Sequence, residues 1–255
     1  AIIETIDERN EYCLYIGIPF CPTRCLYCSF TSYPIGVYKD KVDAYLDTME
    51  KEMEYVAASY TEKKLVSIYI GGGTPSSISA EQMDRLCSMI EKHFDLSQVR
   101  EYTIEAGRPD STTADKLQVM KAHGVGRISI NPQTMNGETL KLIGRAHTPE
   151  QAEEAFKRAR EAGFDNINMD LIVGLPGEDA EMVKRTLEKV KKLAPESLTV
   201  HTLAIKRAAH LKQEMDKYSF AGDVDEQLSL VGQAAEELGL APYYPVSYTH
   251  LRAHE

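Results

Sequence analysis

No apolar run in the sequence is long enough to cross a membrane, and no signal-peptide pattern opens it. The chain is therefore expected to be cytoplasmic. Basic residues are scarce: 29 Lys and Arg stand against 39 Asp and Glu, for a formal net charge of −10. Phosphate backbones need clustered Lys and Arg, so this balance argues against a general nucleic-acid binder. It still allows a local basic pocket for a small anion. Cysteine is sparse and odd in number, five in 255 residues, which does not suit a disulfide scaffold. A chain of this length buries a full core without one. There is no low-complexity linker and no internal repeat.

What the sequence does have is alternation. Strands are expected over residues 12–18, 65–70, 101–105, 127–130, 166–173 and 197–203. Helical segments separate them. Val42, Tyr45, Leu46, Met49, Met53 and Val56 recur at helical spacing. Ser79 with Gln82, and Thr148 with Gln151, are capping-box pairs, the second with Pro149 at the first helical position. Asp179 is placed to cap a helix carrying Met182, Val183, Leu187 and Val190. Strict strand–helix alternation predicts a parallel sheet with helices outside. A doubly wound sheet fits that pattern. A partial (β/α)6 barrel fits better, because polar and Gly-rich residues follow nearly every strand, and barrel strand ends converge on one face.

Three of the cysteines crowd into Cys21-Pro-Thr-Arg-Cys25-Leu-Tyr-Cys28, directly after the first strand. Pro22 disfavours a helix there, so the three thiols can wrap one object as a loop. Three thiolates can hold three irons of a cubane and leave the fourth iron open. Structural zinc wants four ligands, and no fourth Cys or His lies nearby in sequence. Cys13 and Cys87 stand apart and read as buried or half-buried thiols.

CxxxCxxC with an aromatic before the last Cys resembles the signature of the radical S-adenosylmethionine (SAM) superfamily. The resemblance covers roughly residues 12–203. It is nearest to the oxygen-independent coproporphyrinogen III oxidase family, including its HemZ-type branch. It rests on YIGIPFCPTRCLYCSF, IYIGGGTPS, TIEAGRPD, RISINPQTMN, IGRAHT and MDLIVGLPGE. It implies a TIM-like half-barrel of the radical SAM type over residues 1–245 and a [4Fe–4S] cluster on Cys21, Cys25 and Cys28, with SAM bound beside it.

The family's SAM contacts carry over by position. Gly71, Gly72, Gly73 and Thr74, with Pro75, match its glycine motif, which lets backbone approach the methionine end of SAM; only residues without Cβ allow such approach. Glu105 is implied as a hydrogen-bonding partner of SAM; a salt bridge to Arg108 or Arg127 is the alternative. Gln133, Arg145 and Asp170 match further contacts, Arg145 through its forked donors and Asp170 toward ribose hydroxyls. Each alone also suits a polar residue at the rim of the core. Tyr27 and Ala204 are implied at the adenine. His201 falls where the family has an aromatic, and a structural histidine suits it equally. Tyr15 matches a catalytic-site tyrosine near cluster and substrate, and equally a strand tyrosine in the core.

The chemistry so implied is reductive cleavage of SAM, hydrogen-atom abstraction from propionates of coproporphyrinogen III, and loss of carbon dioxide. It needs an external electron donor of the flavodoxin or ferredoxin type and takes a porphyrinogen or haem-type small molecule. Lys206 and Arg207 are candidate donors for propionates. Two positions depart from the coproporphyrinogen enzymes: Phe30 stands where they carry a further Cys, and Gly17 where they tend to have His. A sister branch without that Cys resembles haem chaperones. The first residue is Ala, so residues are expected upstream. The tail, residues 246–255, lacks helical or strand period, is expected to be artefactual, and is assigned no function.

Overall fold

The computed structural model describes residues 5–30, 32–205, 209–213, 215–220 and 222–242. Lys206, Arg207 and the 246–255 tail lie outside these residues. The first strand, β1 (Glu11–Ile18), is followed by the short pair β2 (Phe20–Cys21) and β3 (Tyr33–Pro34). A single turn, α1 (Ile35–Tyr38), leads into α2 (Val42–Ser59). Alternation then proceeds through β4 (Lys64–Gly72), α3 (Ala80–His93), β5 (Glu101–Gly107), α4 (Ala114–Ala122) and β6 (Arg127–Gln133). It continues with α5 (Gly137–Leu142), α6 (Pro149–Glu161), β7 (Ile167–Val173), α7 (Ala180–Leu193) and β8 (Ser197–Thr202). A short α8 (His210–Gln213) and α9 (Val224–Glu237) end the described chain, with α9 packed against α7.

Six strands pair in the order β1-β4-β5-β6-β7-β8, every pair parallel. Among the described residues β1 and β8 do not pair with each other, so the sheet curls into a half-barrel rather than closing. This is the expected partial (β/α)6 barrel. Both capping boxes form: Ser79 accepts from the Gln82 amide and Thr148 from the Gln151 amide, each reciprocated. Asp179 caps α7 as expected.

The register sorts the two faces of the sheet. Val66, Ile68 and Ile70 of β4, Tyr102 and Ile104 of β5, Ile128 and Ile130 of β6, and Ile167 and Met169 of β7 join one buried cluster with the apolar stripes of the helices (Val66 excepted, which is buried beside it). The residues between them are polar: Ser67, Tyr69, Thr103, Glu105, Ser129, Asn168, Asp170 and Thr199. They pair in rows across neighbouring strands, Tyr69 with Thr103, Glu105 with Ser129, Ser129 with Asn168, Asp170 with Thr199. Period two thus gives an apolar outer face under helices and a polar inner face.

Three strands run past their expected ends, β4 simply on to Gly72. β5 continues to Gly107 and β6 to Gln133, each through a register shift, between Glu105 and Gly107 and between Ile130 and Gln133. An extra residue in one strand bends it and re-aims the following side chains. Both irregularities lie at the C-terminal ends of the strands, where barrel sites are built.

Candidate metal and cofactor centre

Cys21 ends β2, and the loop that follows carries Cys25 and Cys28; all three thiols are free and half-buried. The loop is tied down from several directions. Thr23 Oγ1 donates to the Gly144 carbonyl at 3.0 Å, and the Leu26 amide to the Ile143 carbonyl at 2.9 Å. The Leu211 amide donates to the Leu26 carbonyl at 3.0 Å. Gly144 holds φ +76, which disfavours a side chain, and a Cβ there would stand a tight 3.2 Å from the Arg24 carbonyl. Burial pushes the Cys21 and Cys28 thiols upward, with Cys25 adding repulsion in both cases. Bound irons would reverse such a rise, because a coordinating thiol is deprotonated outright. No three His, Cys, Asp or Glu side chains among the described residues converge on a single ion. In a cubane each thiolate meets its own iron, so the three need not share one ion.

The glycine run lies against this loop. The Gly73 amide donates to the Ile18 carbonyl and the Thr74 amide to the Phe20 carbonyl, each at 2.8 Å. Thr74 is buried, and its Oγ1 lies 3.4 Å from Cys21 Sγ. A Cβ on Gly73 would sit 2.8 Å from the Phe20 carbonyl and 3.0 Å from Cys21 Sγ. Gly72 holds φ +108, a value that only glycine adopts readily. A Cβ on Gly71 would meet the Tyr69 ring at 2.8 Å, and Glu105 Oε1 and Tyr15 Oη at 3.2 Å. Gly73→Ala must therefore displace backbone or the first cysteine. The expected result is a roughly tenfold loss of cluster retention under a chelator, the size of a typical overpacking cost. Equal iron release from variant and wild type would show that the close approach is immaterial.

Glu105 makes neither of the salt bridges considered from sequence. Arg108 instead forks onto Asp110, and Arg127 lies 3.8 Å from Glu101. The partner of Glu105 is Tyr69, whose hydroxyl donates to Oε1 at 2.5 Å. Burial pushes Glu105 up to about 7; the Tyr69 bond opposes this and the Asp170 charge adds to it. Among the described residues no cation pairs with Glu105, and a buried carboxylate so placed fits a cationic ligand group. Tyr15 stacks on Tyr69 at 5.9 Å between centroids and is 63% exposed, which rules out the core-tyrosine reading.

Arg145 is buried and donates to Tyr27 Oη at 3.1 Å. Tyr27 packs against the cluster of Ile143, Ile172 and Leu175, as does Leu203, and burial holds the Tyr27 hydroxyl well above the usual range. Gln133, at φ +68, is buried with Oε1 lacking a partner, and Arg145 Nε lacks one as well. Buried polar atoms without partners are costly and rare; these two, one at the end of β6 and one in the loop between α5 and α6, mark places for a ligand. Asp170 accepts from Asn168 Nδ2 at 2.6 Å and Ser129 Oγ at 3.3 Å. Burial raises Asp170, and His201 on the neighbouring strand counters that rise. His201 and Ala204 are both half-buried at the end of β8 and just beyond it. The fold therefore brings the cysteines together with Gly73, Thr74, Tyr27 and Arg145. It sets Glu105, Tyr69, Tyr15 and Gly71 beside one another, with Asp170 and His201 on the same inner face.

A family model, the radical SAM superfamily, matches residues 15–190. The chain belongs to the radical SAM superfamily. Membership brings a [4Fe–4S] cluster and SAM as cofactors, and the loop of half-buried thiols, the glycine cradle and the orphaned Gln133 and Arg145 atoms fit them. Among curated relatives, the chain is 45% identical over 96% of its length to the oxygen-independent coproporphyrinogen-III oxidase-like protein HemZ of Bacillus subtilis, covering 50% of that protein. It is 39% identical over 75% of its length to heme chaperone HemW of the same organism, covering 50% of it. Among solved structures, coproporphyrinogen III oxidase (HemN) from Escherichia coli, described as a radical SAM enzyme, superposes with TM-score 0.77 at 28% identity. That match covers 90% of this chain and 53% of that one. The chain thus spans about half the length of these radical SAM relatives.

Sequence reasoning missed Tyr69, although its place two residues before Gly71 in one strand puts both on the same face. It missed Arg108 and Asp110 as supports of the cysteine loop. Cys13, expected to be at least half-buried, is exposed, because β1 is an edge strand; Cys87 is buried as expected. No helix among the described residues is long and apolar enough to cross a membrane.

Proposed function

We propose that this chain is the radical SAM portion of a cytoplasmic oxidoreductase that decarboxylates the propionates of coproporphyrinogen III, in porphyrin and haem biosynthesis. A small reductant protein of the flavodoxin or ferredoxin type would supply electrons. The observation that carries the cofactor assignment is the contact between the glycine cradle and the cysteine loop, with Thr74 Oγ1 3.4 Å from Cys21 Sγ and Gly73 against the same sulfur. The substrate assignment is supported by the 45% identity to a coproporphyrinogen-III oxidase-like protein.

In this reading Cys21, Cys25 and Cys28 hold three irons, and Gly71, Gly72, Gly73 and Thr74 admit the methionine end of SAM. Glu105 receives the amino group, Arg145 and Gln133 offer their unpartnered atoms, and Asp170 takes the ribose. Tyr27, His201 and Ala204 border the adenine. Tyr15, exposed and stacked on Tyr69, would meet the substrate in this reading. Bound together, cluster and SAM supply the one-electron chemistry that removes a hydrogen atom from a substrate carbon; the protein orients them and excludes water.

Phe30 favours a second reading. It is 67% exposed and stands where the coproporphyrinogen enzymes carry a further Cys. A haem-binding chaperone on the same scaffold accommodates that change, and the 39% identity to HemW supports it. The experiment is anaerobic reconstitution, reduction, and SAM cleavage with and without coproporphyrinogen III. Cleavage coupled to carbon dioxide release is the expected result. A cluster-loaded chain that binds haem and releases no carbon dioxide would replace the oxidase reading with the chaperone one.

A further inference from the structure

Arg108 follows Gly107, whose φ of +62 turns the chain at the end of β5. Its side chain is 3% exposed. Burying a guanidinium is costly unless its donors are met. Here Nε and one terminal nitrogen fork onto the two carboxylate oxygens of Asp110, each at 3.0 Å. The other terminal nitrogen reaches 85 residues back in sequence to Thr23, at 2.6 Å from Oγ1 and 3.4 Å from the carbonyl. Thr23 lies between the first and second cysteines. The Arg108 carbonyl is itself fixed, accepting from the Ser111 amide at 3.0 Å and from Thr112 Oγ1 at 2.9 Å. Asp110 is held below the usual carboxylate range: burial raises it, but the Arg108 fork and charge outweigh that. A rigid, paired cation is therefore built into the floor of the cysteine loop.

We infer that Arg108 and Asp110 are positioning residues for the iron–sulfur cluster: Arg108 holds the cysteine loop through Thr23 and fixes a positive charge against that loop, and Asp110 holds Arg108. The inference rests on the cluster assignment above. Reduction adds negative charge to the cluster, so a nearby cation eases it, and an unneutralised cation eases it further.

The test uses the full chain reconstituted anaerobically with iron and sulfide, in wild type and in Arg108→Gln, Arg108→Lys, Asp110→Asn and Thr23→Val. Iron release to a chelator and the midpoint potential from an EPR-monitored redox titration are read. Arg108→Gln is expected to release iron roughly tenfold faster, the cost of losing charge-assisted buried hydrogen bonds, and to lower the midpoint. Arg108→Lys restores the midpoint without restoring retention, because the fork is lost. Asp110→Asn raises the midpoint. Thr23→Val, which leaves the buried pair intact, speeds iron release and keeps the midpoint, so the idea remains testable if Arg108→Gln does not fold. Wild-type retention and midpoint in Thr23→Val and Arg108→Gln would overturn the inference. Midpoints moving the same way in Arg108→Gln and Asp110→Asn would overturn its electrostatic half. A wild-type chain that takes up no cluster would instead overturn the cluster assignment itself.

Discussion

Cys25→Ala should abolish the visible absorbance of the reconstituted chain and all SAM cleavage. With three thiolates, three irons of a cubane have protein ligands and one is open; with two, a second iron is left to solvent. The loop offers no substitute. Cys13 is exposed on the edge strand β1, and Cys87 is fully buried in α3 with Tyr102 Oη 3.5 Å from its sulfur. Cys13→Ala and Cys87→Ala should therefore keep wild-type iron and sulfide content, apart from a modest loss of stability for the buried one. Iron and sulfide analysis of the three variants after anaerobic reconstitution decides the matter. A full complement of iron in Cys25→Ala would remove the triplet from the site.

Glu105→Gln should weaken SAM binding by roughly 10–100-fold, the worth of a charged hydrogen bond in a dry site. The cluster itself should be retained, because Glu105 touches Tyr69 and the Gly71 side of the pocket rather than the cysteines. The same substitution should stabilise the cofactor-free chain above neutral pH. Burial holds Glu105 at about 7 in the folded state, well above its ordinary value of 4.5. A folded carboxyl that keeps its proton longer than the unfolded one costs stability as pH rises from the ordinary carboxylate range to about 7. Removing it recovers on the order of 1–3 kcal/mol at pH 8, measurable by thermal or denaturant unfolding. SAM affinity of the wild type should follow the opposite course. If the ionised carboxylate receives the amino group, affinity falls about tenfold per pH unit below 7 and levels off above it. Calorimetric titration between pH 6 and 8 reads this directly, and a flat profile would mean that Glu105 does not receive a cation.

The frame of the fold was legible because parallel strands buried under helices are apolar on one face, and because Ser79–Gln82, Thr148–Gln151 and Asp179 mark helix starts by local chemistry alone. The strand ends were less legible. Pro132 argues against a strand, since it cannot donate to the ladder; the register shift between Ile130 and Gln133 accommodates it, and β6 runs on to Gln133. Helix α5 was missed because Asn136 does not cap it; its amide side chain is engaged with Glu178 at 2.9 Å and with Thr134 at 3.2 Å.

Within the site, residue identity reached further than residue pairing. The cysteine spacing and the glycine run could be read directly, since each constrains local backbone. Partners could not. Arg108 lies three residues from Glu105, the nearest acid on the strand, yet the bulge between Glu105 and Gly107 and the turn at Gly107 carry it away toward Thr23 and Asp110. Tyr69 passed as one more strand aromatic because its role depends on Glu105, 36 residues later, arriving beside it.

The most direct measurement is the EPR spectrum of the reduced, reconstituted wild-type chain with and without SAM. Three cysteines and an open iron beside the Gly71–Gly73 cradle predict a [4Fe–4S] signal that changes shape when SAM is added. No cluster signal, or a signal indifferent to saturating SAM, would contradict the assignment of this site.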